Sequence, residues 1–208
     1  MSLELSPIEA RVAASLVEKS ITTPQYYPMS VNALTAACNQ KNGRHPVMSL
    51  SEGEVGSALH RLEELRLAKR DDQGSRVPKW RHRFNHEMLL KDHANAVLVT
   101  LMLRGAQTPA EIRTNASVLN GPTDAEGVQA ALRDLADRAK PLVSELARAA
   151  GQSATRWRHR VTNEPDPEPD AAPVSIARER SESGGTSALE ASVAALEARV
   201  EELEKLLR

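Results

Sequence analysis

The sequence predicts an α+β fold, mainly helical with small β wings: two winged helix-turn-helix modules in tandem, followed by a C-terminal coiled-coil helix. Three observations carry this. A basic strand motif, Lys79-Trp80-Arg81-His82-Arg83-Phe84, returns 77 residues later as Arg156-Trp157-Arg158-His159-Arg160-Val161, and no other tryptophan occurs in the chain. Ahead of each copy lie three helical patterns, most of them opened by a capping signature. After the second copy the composition turns acidic and proline-rich, and a heptad pattern follows. The boundaries are a first module at 1–84, a second at 85–162, a linker expected to be disordered at 163–186 and a coil at 187–208.

The first helix opens at Ser6-Pro7-Ile8-Glu9, with serine as cap, proline at the first helical position and glutamate completing a capping box. Ile8, Val12 and Leu16, with Ala13 and Val17, form its buried stripe, and it should end near Ser20. Pro28 turns the chain away from helix, and Ser30 then caps a short second helix ending near Asn39. Residues 39–46 form a polar loop. Ser51-Glu52-Gly53-Glu54 is a second capping box, opening a third helix with Val55, Leu59, Leu62 and Leu65 inward. A strand over 67–70, a turn over 71–75 and the Trp80 strand complete the module, and Pro78 suggests that the last is an edge strand.

The second module repeats this order. A helix over 88–104 buries Val97, Leu98, Leu101 and Met102, and Thr108-Pro109-Ala110-Glu111 is again a capping box. Thr123-Asp124-Ala125-Glu126 reads as the cap and box of a third helix, with Val128, Ala131, Leu132 and Leu135 inward. A strand over 142–147, a turn over 150–152 and the Trp157 strand follow.

Side chains alternate along a strand. Trp80, His82 and Phe84 should therefore face inward while Lys79, Arg81 and Arg83 form a cationic comb outward; Arg156, Arg158 and Arg160 repeat the comb beside Trp157, His159 and Val161. In the tail, Leu189, Val193, Leu196, Val200, Leu203 and Leu207 are spaced 4, 3, 4, 3, 4. Valines at a and leucines at d favour a parallel two-stranded coil and hence a homodimer.

Charge is divided unevenly. Residues 1–84 carry 12 Lys+Arg against 9 Asp+Glu, residues 85–162 carry 10 against 8, and residues 163–208 carry 5 against 11. A mildly basic body with an acidic tail suits a nucleic-acid partner. Two tryptophans, two tyrosines and one phenylalanine are too few for the aromatic platforms of single-strand binders. Cys38 is the chain's one cysteine, which excludes an intrachain disulfide. The N-terminal residues lack the basic and apolar regions of a signal peptide, and the apolar run over 96–103 is too short to span a bilayer. The expected location is the cytoplasm, with no membrane association. No catalytic motif, metal-ligand spacing or phosphate loop occurs, so neither an enzyme nor a bound cofactor is expected.

Several stretches resemble the YceH family of uncharacterised bacterial proteins. They are Leu5-Ser6-Pro7-Ile8-Glu9-Ala10-Arg11-Val12, Glu18-Lys19-Ser20-Ile21-Thr22-Thr23-Pro24, Tyr27-Pro28-Met29-Ser30-Val31-Asn32-Ala33-Leu34, Ala37-Cys38-Asn39-Gln40-Lys41, Pro46-Val47-Met48 and Leu103-Arg104-Gly105-Ala106-Gln107-Thr108-Pro109. The resemblance covers nearly the whole chain and implies a tandem winged-helix fold with a C-terminal coil, without an established activity. The stretch over 115–123 is short relative to that family.

The function expected is double-stranded DNA binding, as in a transcriptional regulator. Wing arginines and Lys79 would contact phosphate, as would Lys41 and Arg44 from the loop. Ser57 and Arg61 from the third helix would reach the groove, and the Asn39 and Gln40 amides would read adenine edges or hydrogen-bond a peptide backbone. The alternative is a protein-interaction adaptor whose winged helices bind a protein partner.

Overall fold

The computed structural model describes residues 4–71, 77–148 and 154–162. The hairpin turns, the linker and the heptad residues Leu189, Val193, Leu196, Val200, Leu203 and Leu207 lie outside the described residues. The described part belongs to one compact unit, residues 1–169. It is an α+β structure of helices over two small antiparallel sheets.

In the first half, α1 (Pro7–Thr22), α2 (Val31–Cys38) and α3 (Glu52–Glu64) precede a hairpin of β2 (Ala68–Asp71) and β3 (Lys79–His82), with the two-residue β1 (Met29–Ser30) ahead of α2. The second half follows α4 (Phe84–Glu87) with α5 (Asp92–Arg104), α6 (Pro109–Ala116), α7 (Ala125–Ala136) and the hairpin of β4 (Val143–Leu146) and β5 (Arg156–His159). The internal repeat extends to single backbone bonds. The Arg83 amide donates to the Leu67 carbonyl at 2.7 Å, and at the matching place Arg160 donates to Leu142 at 2.8 Å.

The first helix of each half lies at the centre. Residues 10–17 of α1 and 94–103 of α5 are buried without a break, as expected of helices with neighbours on every side. They pack on each other; α1 also packs on α2, α3 and β3, and α5 on α6, α7 and β5. One core therefore runs through both halves. The N-terminal segment ties them again, since the Leu5 amide donates to the Val161 carbonyl at 2.8 Å.

The capping boxes at Ser6, Ser51 and Thr108 form with both of their reciprocal bonds. Four expectations are corrected. The cap of α7 is Asp124, whose carboxylate accepts from the Gly127 amide at 2.6 Å, so Glu126 belongs to no capping box. The helix expected over 88–104 is broken: Leu89 takes a φ of 50° and is 81% exposed, and α5 begins only at Asp92. The break is stabilised from a distance, because the Arg138 guanidinium donates to the carbonyls of Met88 and Leu89 at 2.8 and 3.1 Å. Phe84 is buried as expected, but as the first residue of α4 rather than as part of the strand. Finally, β3 is the central strand in the order β1-β3-β2, not an edge. Pro78 is compatible with this because it precedes the paired residues.

Candidate nucleic-acid interface

The register of the first hairpin decides which cations face outward. Lys69 pairs with Arg81, Arg70 with Trp80, and Asp71 with Lys79. Cross-strand partners share a face, so Lys69, Asp71, Lys79 and Arg81 stand on the side opposite Ala68 and Trp80, both 3% exposed. Lys69, which the sequence did not single out, joins the outward cations through this pairing. Arg81 forms an ion pair with Asp71, and its guanidinium carbon lies 5.7 Å from the centre of the Tyr27 ring. Tyr27 is fixed in turn, accepting a hydrogen bond from the His82 amide, and burial pushes its hydroxyl up to about 12. Arg83 departs from the expected comb: it precedes α4 as its N-cap and pairs with Glu87 at 3.1 Å.

Helix α3 lies against this hairpin, with the His60 ring edge-on to Trp80 at 5.5 Å. Its exposed residues include Ser57, His60 and Arg61. The Ser57 hydroxyl donates to the Gly53 carbonyl at 2.9 Å, and Arg61 pairs with Glu64 at 2.7 Å. Glu52 accepts from the Asn32 amide at 2.8 Å. The backbone amide of Ser51, then its hydroxyl, hold the Glu54 carboxyl below the usual range. Gly53 and Gly56 occupy the same helix. A Cβ at Gly56 would meet nothing within 4 Å, and one at Gly53 only the Ser51 hydroxyl at 3.9 Å. An interior helical glycine costs about 0.8–1.0 kcal/mol relative to alanine, and no packing among the described residues requires either.

The loop after α2 serves mainly to hold the fold. Asn39 donates to the Leu50 carbonyl at 2.8 Å and accepts from its amide at 2.7 Å. Gln40 accepts from Lys19 and Arg44 at 3.3 and 3.0 Å. Arg44, expected to be a surface cation, is 6% exposed. It ion-pairs with Glu18 and donates to the Ala37 carbonyl, so the phosphate-contact role expected of it is corrected to a buried structural one. Of the loop residues proposed from sequence, Lys41 alone is left exposed without a described partner. Sequence reasoning missed Arg11, 2% exposed, which donates to the carbonyls of Cys38 and Pro46 at 3.2 and 2.7 Å. Burial, then Arg44, lowers its affinity for its proton. Burial likewise pushes the Cys38 thiol up.

The second hairpin repeats the motif and turns it differently. Arg156 is half-buried, donating to the Ala106 carbonyl at 2.8 Å and to Glu111 at 3.3 Å. Arg158, expected to face outward, is 8% exposed, which corrects that position. Arg160 is exposed and its guanidinium reaches the Ser144 hydroxyl at 3.5 Å. The His159 Nδ1 is enclosed without a hydrogen-bond partner, and burial, then Arg158, lowers the ring to about 4.

Among the described residues no group of three His, Cys, Asp or Glu side chains is placed to hold a metal, and no helix is long and apolar enough to cross a membrane. Residues 5–152 match a family described as a protein of unknown function, DUF480. The chain is 47% identical over 176 residues to a UPF0502 protein of Burkholderia pseudomallei (strain 668), covering 85% of this chain and 74% of that one. It is 48% identical over 161 residues to a UPF0502 protein of Burkholderia ambifaria, covering 77% and 68%. These agree with the resemblance drawn from the sequence motifs.

Proposed function

Because this chain belongs to the DUF480 family, whose description names no activity, we propose its function from its own residues: it binds double-stranded DNA as a tandem winged-helix protein. The carrying observation is the outward face of the first hairpin, where the register places Lys69, Lys79 and Arg81 together, opposite the Trp80 face on which α3 packs. Lysine and arginine on such a face contact phosphate and set register on the duplex. Gly53 and Gly56 leave the surface of α3 without side chains at two positions, so that a groove wall would approach its backbone closely. Three phosphate contacts would give a slope of log affinity on log salt of about −2.7. Fluorescence anisotropy of a labelled duplex at several salt concentrations tests this; a salt-insensitive or unmeasurable affinity at low salt contradicts it.

One observation favours the second reading, a protein-interaction adaptor. Arg61, Arg81 and Arg83 each carry an acidic partner, and Glu52 and Glu54 stand at the start of α3. Such a mixed-charge surface suits a protein partner better than a polyanion. The same duplex titration separates the two readings.

Assembly is part of the proposal. The heptad residues 189–207 would pair two copies and raise the avidity for duplex by roughly 10²–10⁴. Deleting residues 187–208 should leave a monomer with much weaker duplex affinity, measured by light scattering alongside the titration. A truncated protein that remains dimeric would refute coil pairing.

A further inference from the structure

A cleft of about 260 Å³ opens between the loop after α2 and the second half of the chain. Arg104, from the end of α5, His45 from the loop, and Arg156 from β5 all line it. The two walls approach through two glycines, both with positive φ. A Cβ on Gly43 would stand 3.1 Å from the Arg104 guanidinium, and one on Gly105 would stand 3.1 Å from the His45 ring. Each cationic or imidazole side chain thus rests on the bare backbone of the opposite wall.

The charges in this cleft do not balance. Glu18 is the acid nearest Arg104 in electrostatic effect, but it is already taken by Arg44 and by Lys19 at 3.3 Å. Glu111 is taken by Arg156 and by the capping box at Thr108. Arg104 is half-buried, and its guanidinium makes no hydrogen bond or ion pair with any described residue. A guanidinium withdrawn from water without a partner is costly, and an oxyanion is the ligand that a planar fork of donors recognises best.

We propose that this cleft is a binding site for a phosphate group, with Arg104 as its principal donor and His45 and Arg156 on the flanks. Donors from three separate segments suit a tetrahedral oxyanion, and the volume admits a phosphate monoester as well as inorganic phosphate. The site is independent of duplex binding by the first hairpin. The phosphate comes either from a free small molecule or from a nucleic-acid backbone.

The test is calorimetric titration of the full chain with inorganic phosphate, against potassium chloride at matched ionic strength. Saturable binding is expected with phosphate and not with chloride. Arg104→Met should weaken it at least about tenfold, Arg104→Lys less, and His45→Ala measurably, while Lys140→Met, an exposed charge loss elsewhere, should leave it unchanged. His45 is exposed, so its variant keeps the test valid even if Arg104→Met fails to fold. Absence of saturable binding by the full chain overturns the proposal, as does unchanged binding in the folded Arg104 and His45 variants. A duplex titration of Arg104→Met separates the sources: weakened duplex binding, with phosphate competing, assigns the site to the nucleic-acid backbone, and unchanged duplex binding assigns it to a free anion.

Discussion

The two hairpins share a Trp-Arg-His-Arg core motif and use it in opposite ways. In the first, the additional strand β1 pairs Met29 with Trp80, so β3 is covered on both edges and Trp80 is 3% exposed. Its arginine and lysines are left on the far face. In the second, no such strand occurs among the described residues. A single bridge from Gln107 meets Trp157, which stays half-buried, while Arg158 is drawn in to 8% exposure. The two histidines share an enclosed Nδ1 without a hydrogen-bond partner, but His82 Nε2 in addition lies 3.0 Å from the Ser20 hydroxyl. The direction of a cationic comb is thus set by what covers the strand, not by the motif itself.

The largest effect that sharpens this contrast is on stability. Trp80→Ala should cost about 3–5 kcal/mol, because a buried aromatic leaves a cavity. Trp157→Ala should cost roughly half of that, since part of its surface is already in water. Denaturant midpoints at pH 7 measure both, and equal losses would break the comparison. Next is the response to acid. The folded state holds His159 at about 4, below the ordinary 6.5, so between these values the unfolded chain binds the extra proton. Stability from the neutral ring is complete above about pH 6.5 and is lost as pH falls toward about 4, by roughly 3 kcal/mol. His159→Gln should flatten that part of the stability–pH curve; an unchanged curve would mean that the ring is not held neutral. The smallest effect concerns the third helices. Ser51→Ala and Asp124→Ala should each cost about 1 kcal/mol as lost caps, and a negligible cost at Asp124 would place the start of α7 elsewhere.

Local chemistry was the legible part of this chain. The boxes at Ser6, Ser51 and Thr108 and the two tryptophan strands are written in adjacent residues, and each forms. What was not legible depends on partners far along the chain. Arg44 reads as a loop cation until Glu18, 26 residues earlier, is seen to hold it. Lys69 gains its place only through its register with Arg81. The break before α5 is set by Leu89 together with Arg138 from beyond α7, which no periodicity within 88–104 announces. The Arg104 cleft is likewise assembled from three separate segments.

On the proposed function, the duplex contacts fall on the outward face of the first hairpin rather than on the second hairpin, where Arg158 is 8% exposed and Arg160 reaches the Ser144 hydroxyl. The most direct test is a salt-dependent duplex titration of two variants in the full chain, Lys69, Lys79 and Arg81 to Ala against Arg158 and Arg160 to Ala, which leaves the Arg104 cleft with its Arg156 intact. Circular dichroism first establishes that each is folded. The first variant should weaken binding across all duplex sequences and flatten the salt slope by about 0.9 per lost contact. The second should leave the slope of its folded fraction unchanged. Equal flattening by both, or flattening by the second alone, would contradict the account.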